Sequence, residues 1–236
     1  MEPNTNKGLS GSALKIFAIL AMTIDHTGIM LGRIHPCMTD PFIVLAGQEI
    51  HPYGIMRLIG RLAFPLFGFL VAEGITHTRN SVRYGASLLI AAILSEPFYD
   101  AFFFSNALDF TRQNVLFTLF LGFAAISLAE KLKERPWAAM ASVASVILSA
   151  ELLKVDYGAA GVACILLLHL LKDNLSPYRY LALLLLTWPM AAATSAIPLM
   201  LYNGQRRFIL AKWMKYAFYV YYPLHLFILT VLSATL

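Results

Sequence analysis

Apolar residues fill this chain in long unbroken runs, separated by short clusters of charge, proline and glycine. A helix needs about 20 consecutive apolar residues to cross the hydrocarbon core of a bilayer. Runs of that kind occur eight times, at 13–32, 54–76, 84–104, 113–129, 136–153, 157–171, 180–201 and 213–233. The pattern predicts an all-α, polytopic transmembrane helical bundle of about eight spans, with eight to ten allowed, forming one integral membrane domain over 1–236. The leading segment MEPNTNKGLSGS is polar, and the first run holds Asp25 and His26 but no small-residue cleavage site, so it reads as a retained span and not a signal peptide.

Composition removes other classes. The chain is 59% hydrophobic and 13% charged, whereas a soluble domain has roughly half apolar and a quarter charged residues. Disorder, a disulfide scaffold and nucleic-acid binding all demand more charge or more cysteine. Cys37 and Cys164 stand alone, without the spacing of a metal site. The net charge of +5 is read as topological. With the N-terminus inside, Lys7, Lys15, Arg79, Arg83, Lys131, Lys133, Arg135, Lys172 and Arg179 fall on the cytosolic side. The external side then holds Arg33, Arg112 and Lys154, plus a conflicting cluster of Arg206, Arg207, Lys212 and Lys215 before the last run. Either that segment dips back to the cytosol or a late span is miscounted.

Ionisable residues at membrane depth are costly and mark function or pairing. They gather in the first three runs as Asp25 and His26, then Arg57, Arg61 and Glu73, then Glu96. On the N-inside arrangement Asp25, His26, Arg61 and Glu96 share a depth in the outer half, which predicts a common cavity. Adjacent Asp25 and His26 leave a helix about 100° apart, so each needs a partner from another helix. Arg57 and Arg61 sit one turn apart as a cationic edge suited to Asp25, Glu96 or an anionic group. Pro65 cannot donate to the Arg61 carbonyl and should kink the helix there. A structural ion pair explains Asp25 with either arginine as well as chemistry does. Glu73 and His77 read as a helix-end pair, and His169 as a packing residue. His26, inside the polar cluster, reads as a proton-exchanging group.

No metal-spaced set, glycoside-type carboxylate pair, Ser–His–Asp signature or phosphate-cradling glycine loop is present. General-base transfer chemistry and transport remain. Arg79 and Arg83, with Lys15 nearby, are either ordinary positive-inside decoration or a phosphate-binding rim for a cytosolic anionic cofactor. The tyrosines of KYAFYVYYPLHLFIL fit an interfacial aromatic belt, which leaves His225 unexplained.

The chain resembles the TraX family of bacterial membrane proteins in IDHTG at 24–28, GRLAFPLFGFLVAEG and HTRN within 60–80, SEPFYD at 95–100, NVLFTLFLG at 114–122, DYGAAG at 156–161, LYNGQRR at 201–207 and FYVYYPLHL at 218–226. The founding member is associated with N-acetylation of conjugative pilin. The family is similar to wider membrane acyltransferases, including the type-3 acyltransferases and lysosomal heparan N-acetyltransferase. The resemblance implies a multi-pass protein of the bacterial plasma membrane that uses acetyl-CoA and no metal. His26 falls where that superfamily has its essential histidine, to act as general base or acyl carrier. Lys15, Arg79 and Arg83 would hold CoA, although the spacing of the arginine pair differs from the family's, and YYPLHL is similar to its terminal Tyr–Leu–x–His pattern around His225. Arg61 or Asn114 would meet the oxyanion, and Asp25 or Glu96 would orient the imidazole or bind a cationic acceptor. Arg57, Arg61, Asn114 and His225 form the expected substrate site. The acceptor is a peptide N-terminus, a glycan or a lipid; besides the bilayer, a homodimer is allowed. A proton-coupled transporter or flippase relaying through His26, Glu96 and Asp25, and a non-catalytic pilin-assembly factor, are the alternatives.

Overall fold

The computed structural model describes residues 8–45, 47–172, 180, 183, 192–205 and 214–236. The chain folds as an all-helical bundle with one small hairpin. Helix α1 (Gly11–Ile34) is started by Ser10, whose hydroxyl accepts from the Ala13 amide at 3.2 Å. A 3-10 turn at Pro36–Met38 leads to the antiparallel strands β1 (Ile43–Leu45) and β2 (Gln48–Ile50), with Ile43 opposite Ile50. Helices α2 (Pro52–Gly60) and α3 (Ala63–His77) follow as one path broken at Arg61 and Leu62. The break lies one turn before Pro65, where the missing N–H frees the Arg61 carbonyl, and both residues at the break keep right-handed helical dihedrals.

Helix α4 (Ser81–Phe104) is capped by Asn80, and α5 (Val115–Lys131) by Asn114. Helix α6 (Pro136–Leu152) opens on a proline, the favoured first helical residue, and α7 (Gly158–Leu170) starts after a left-handed Tyr157. A short α8 (Ala196–Met200) and the long α9 (Met214–Thr235) complete the described elements. Four stretches, Gly11–Ile34, Pro52–His77, Ser81–Phe104 and Ala217–Thr235, are long and apolar enough to cross a membrane. The first six predicted spans and the last correspond to α1, α2 with α3, α4, α5, α6, α7 and α9.

The predicted run 180–201 is not one straight crossing. The Tyr180 hydroxyl donates to the Leu199 carbonyl at 3.0 Å, whereas a helix of 20 residues would hold its ends about 30 Å apart. Both ends of the run therefore lie at one level. Leu9 donates to the Leu201 carbonyl at 2.7 Å, and Gly11 to that of Gln205 at 2.9 Å, which fixes 201–205 at the end where α1 begins.

Helix α9 consequently runs parallel to α1. Lys15 lies over the Phe218 ring at 4.4 Å, Thr23 meets Tyr221 at 2.6 Å, and His26 meets His225 at 2.7 Å, three contacts in the same order along both helices. Arg206, Arg207 and Lys212 lie outside the described residues, but the chain on both sides of them sits at the start of α1. The single straight crossing expected over 180–201 is thereby corrected.

The core has two main parts. One gathers around α3, α5 and α7 with Phe69, Ile126, Ile165 and Leu168; the other lies between α1, α4 and α9 with Met22, Phe102, Tyr222 and Leu226. Phe67, Val115 and Leu116 pack against both.

A cysteine placed at Asn203 in a Cys37→Ser background is expected to react with a membrane-impermeant maleimide from the same face of oriented vesicles as one placed at Gly8. Labelling from opposite faces would restore the single crossing.

Candidate functional site

Near the hairpin end of the bundle lies a cavity of about 730 Å³, walled by α1, α3, α4, α9 and the turn between α6 and α7. Its polar centre is built by partners far apart in sequence. Arg57 donates to Asp25 Oδ2 at 2.6 Å, closing α2 onto α1. Gly60 is what permits this approach, because a Cβ at that position would collide with the Asp25 carboxyl group. Arg61 hydrogen-bonds the Tyr157 hydroxyl instead, so the two arginines divide between two partners.

His26 is buried beside this pair, with Nε2 at 3.9 Å from Asp25 Oδ2. Its Nδ1 meets Nε2 of His225 at 2.7 Å, and the two ring planes are within 9° of each other. Nδ1 of His225 is 3.0 Å from the Tyr221 carbonyl. A carbonyl oxygen only accepts, so neutral His225 carries its proton on Nδ1 and offers a lone pair at Nε2. His26 must then donate from Nδ1, which leaves its Nε2 as an unprotonated base. Phe102 and Phe103 border the His26 ring, with centroids at 5.8 and 5.7 Å.

The turn between α6 and α7 supplies residues that the sequence reading did not single out as a site. Lys154 and Tyr157 both hold positive φ, at 53° and 66°, a conformation that side-chain-bearing residues rarely adopt. The turn is held by Gln113, whose amide donates to the Lys154 carbonyl at 3.1 Å and whose carbonyl accepts from Asp156 at 2.9 Å. Tyr157 stacks on Phe64 with centroids 3.8 Å apart, and Arg112 lies 3.8 Å from the Asp156 carboxylate. Burial pushes the Asp156 carboxyl above its ordinary range, while Arg112 and then Arg61 pull it back. The available signal was the polar, aromatic and glycine-rich DYGAAG stretch between two apolar runs.

Glu96 and Asn114 are absent from this cavity wall. The Asn114 side-chain amide donates to the Glu96 carboxylate and, at 2.9 Å, to the Ala92 carbonyl; its oxygen accepts from Leu116 at 2.9 Å. Its amide nitrogen fastens α5 to α4, and its oxygen caps α5. The expected meeting of Glu96 with His26, and the oxyanion role for Asn114, are therefore replaced by this fastening.

A second cavity, of about 440 Å³, lies toward the start of α1. Lys15, Arg79 and Arg83 all line it, with Leu70, Val71 and Leu119 forming apolar wall. Glu73 lies on its wall and pairs with His77 at 3.3 Å, as a helix-end pair should. His169 is buried against Glu130 at 2.8 Å, away from both cavities.

The family model described as TraX protein matches residues 10–233. Among curated proteins, the "Probable fimbrial assembly protein FimC, serogroup H1" of Dichelobacter nodosus is 31% identical over 128 residues, which is 51% of this chain and 47% of that protein. The chain thus spans about half the length of that relative. No solved structure matches it.

Asp25→Ala should lower stability by about 3 kcal/mol, because Arg57 then stays in the bundle without its partner. Asp25→Leu combined with Arg57→Met should recover most of that loss. Unfolding in detergent reads both, and wild-type stability of Asp25→Ala would dismiss the pair as a structural tie.

Proposed function

The chain belongs to the TraX family, and on that premise we propose that it is a membrane-embedded acyltransferase that moves an acetyl group from acetyl-CoA to an acceptor amine or hydroxyl. The observation that carries this reading is the relay from the Tyr221 carbonyl through His225 to His26, which leaves a basic nitrogen beside a polar cavity. A buried histidine oriented by a second hydrogen-bonding group is the arrangement general-base catalysis needs. A transporter would need no such fixed tautomer.

The acetyl-CoA end is supported by the second cavity. Three cations line it beside apolar wall, which suits a phosphate-bearing head followed by a slender, mostly apolar arm. With the start of α1 in the cytosol, the donor enters there. His26 Nε2 takes the proton from the acceptor as its nitrogen or oxygen attacks the thioester carbon. The carbon–sulfur bond breaks, and the leaving thiolate takes the proton back from His26, so CoA leaves as the thiol. Arg61, which lines the same cavity, would donate to the developing oxyanion. Asp25, held by Arg57, stabilises the transient imidazolium at 3.9 Å.

The assembly role in the curated relative's name fits a subunit of a surface fibre as acceptor. An amine on such a subunit would reach the hairpin-side cavity past Arg112, Lys154 and Asp156.

Purified protein in nanodiscs is expected to bind CoA saturably, and Arg83→Ala to weaken that binding by about tenfold, the loss of one charge-assisted contact. With labelled acetyl-CoA and a panel of peptide, amino-sugar and lipid acceptors, His26→Ala should lower transfer by a hundred- to ten-thousandfold, roughly, with CoA binding retained. No CoA binding by a cooperatively unfolding preparation would overturn the reading, and proton-coupled uptake in liposomes would then favour a carrier.

His225→Ala frees Nδ1 of His26 to lose its proton in place of Nε2, so transfer should fall while CoA affinity stays. Unchanged kcat in this variant would separate His225 from the chemistry.

A further inference from the structure

The two cavities approach each other from opposite ends of the bundle and share one side chain. Phe67 lines both, and among the described residues it is the one that does. On α5 the lining changes from the hairpin-side cavity at Val115 to the other at Leu116, and on α9 from Tyr222 to Tyr219. Three helices thus change over at one level. The same level is where the two core clusters meet, since Phe67, Val115 and Leu116 pack against both. Phe67 is only half-buried, unlike its neighbours Leu66 and Gly68, and it borders both cavities.

We propose that the Phe67 ring is the seal between the two cavities and decides whether water or the acceptor takes the acetyl group. The inference rests on the acetyl-transfer reading for its second half, while the seal itself rests on geometry alone. An apolar ring at a narrow point resists a continuous water column. A donor thioester drawn from the side of Lys15, Arg79 and Arg83 has to pass this level to come near His26. With the ring closed around the arm, water from the donor side is kept from the thioester carbon, and only a group already seated on the hairpin side can attack. Without the ring, hydrolysis to acetate and CoA thiol competes with transfer.

Proteoliposomes holding wild-type, Phe67→Leu and Phe67→Ala protein test this by two readings. The first is the decay of an imposed pH gradient followed by a trapped dye. The second is release of CoA thiol from acetyl-CoA with and without acceptor. Phe67→Ala is expected to speed gradient decay and acceptor-free thiol release by about tenfold each, the change that ~1.4 kcal/mol off a barrier produces, and CoA binding is measured on every variant. Phe67→Leu, the milder truncation, should fall between. If Phe67→Ala does not bind CoA, Phe67→Leu alone carries the test. Wild-type gradient decay in every CoA-binding variant overturns the seal, whatever the transfer rates. Faster decay with no acetyl-CoA consumed by any of the proteins overturns the partition role together with the proposed function. Faster decay with unchanged hydrolysis, in a wild type that does transfer acetyl, overturns the partition role and leaves the transferase reading standing.

Discussion

A polar group held at membrane depth must find its hydrogen-bond partner inside the protein, because lipid offers none. That requirement organises this bundle. Asp25 forms an ion pair with Arg57, while His26 and Glu96 are hydrogen-bonded by His225 and Asn114. Each pair joins two different helices, and together they fasten α1 to α2, α1 to α9, and α4 to α5. The pairs between α1 and its neighbours are also the ones that line or adjoin the hairpin-side cavity.

The pairing of α1 with α9 has the widest reach. Three polar or cation–π contacts run in the same order along both helices. This sets the last helix parallel to the first and brings the chain before it back to where α1 starts. It also fixes the tautomer of His26, since the hydrogen bond from His225 to a backbone carbonyl decides which nitrogen of each ring carries the proton. Topology and proton placement depend on the same contact. The strained turn holding Lys154 and Tyr157 at positive φ completes the cavity opposite it.

Charge is sorted between the two cavities. Lys15, Arg79 and Arg83 line one without a carboxylate other than Glu73, which is paired with His77. The other mixes Arg57, Arg61, Arg112 and Lys154 with Asp25, Glu151 and Asp156. The first suits an anion, and the second a group that carries both donors and acceptors. Phe67 lies between these two environments. Helix α3, which starts at the break before Pro65, carries wall residues of both cavities.

The apolar runs and their punctuation were enough to place helices at seven of the eight predicted runs, because a helix in lipid must satisfy its backbone along its own length and so writes itself into the sequence. The need of Asp25 and His26 for partners on other helices was also legible, from the 100° between adjacent side chains. Which partners they take was not. Nothing local distinguishes Arg57 from Arg61 as the mate of Asp25, and the choice falls to Gly60, whose lack of a Cβ lets the carboxylate come close. Glu96 had the right depth and the wrong direction, since helix rotation about α4 turns it to Asn114. The run 180–201 had the length and hydropathy of a span, but hydropathy counts residues and does not say where both ends go. By itself, then, the sequence determined the class of protein, most of its helices and which ionisable residues lie within its apolar runs, all of which are local properties of composition and period. The tertiary structure alone decided the partners, the direction of the last helix and the two cavities meeting at Phe67, because each depends on groups that the chain brings together from far apart.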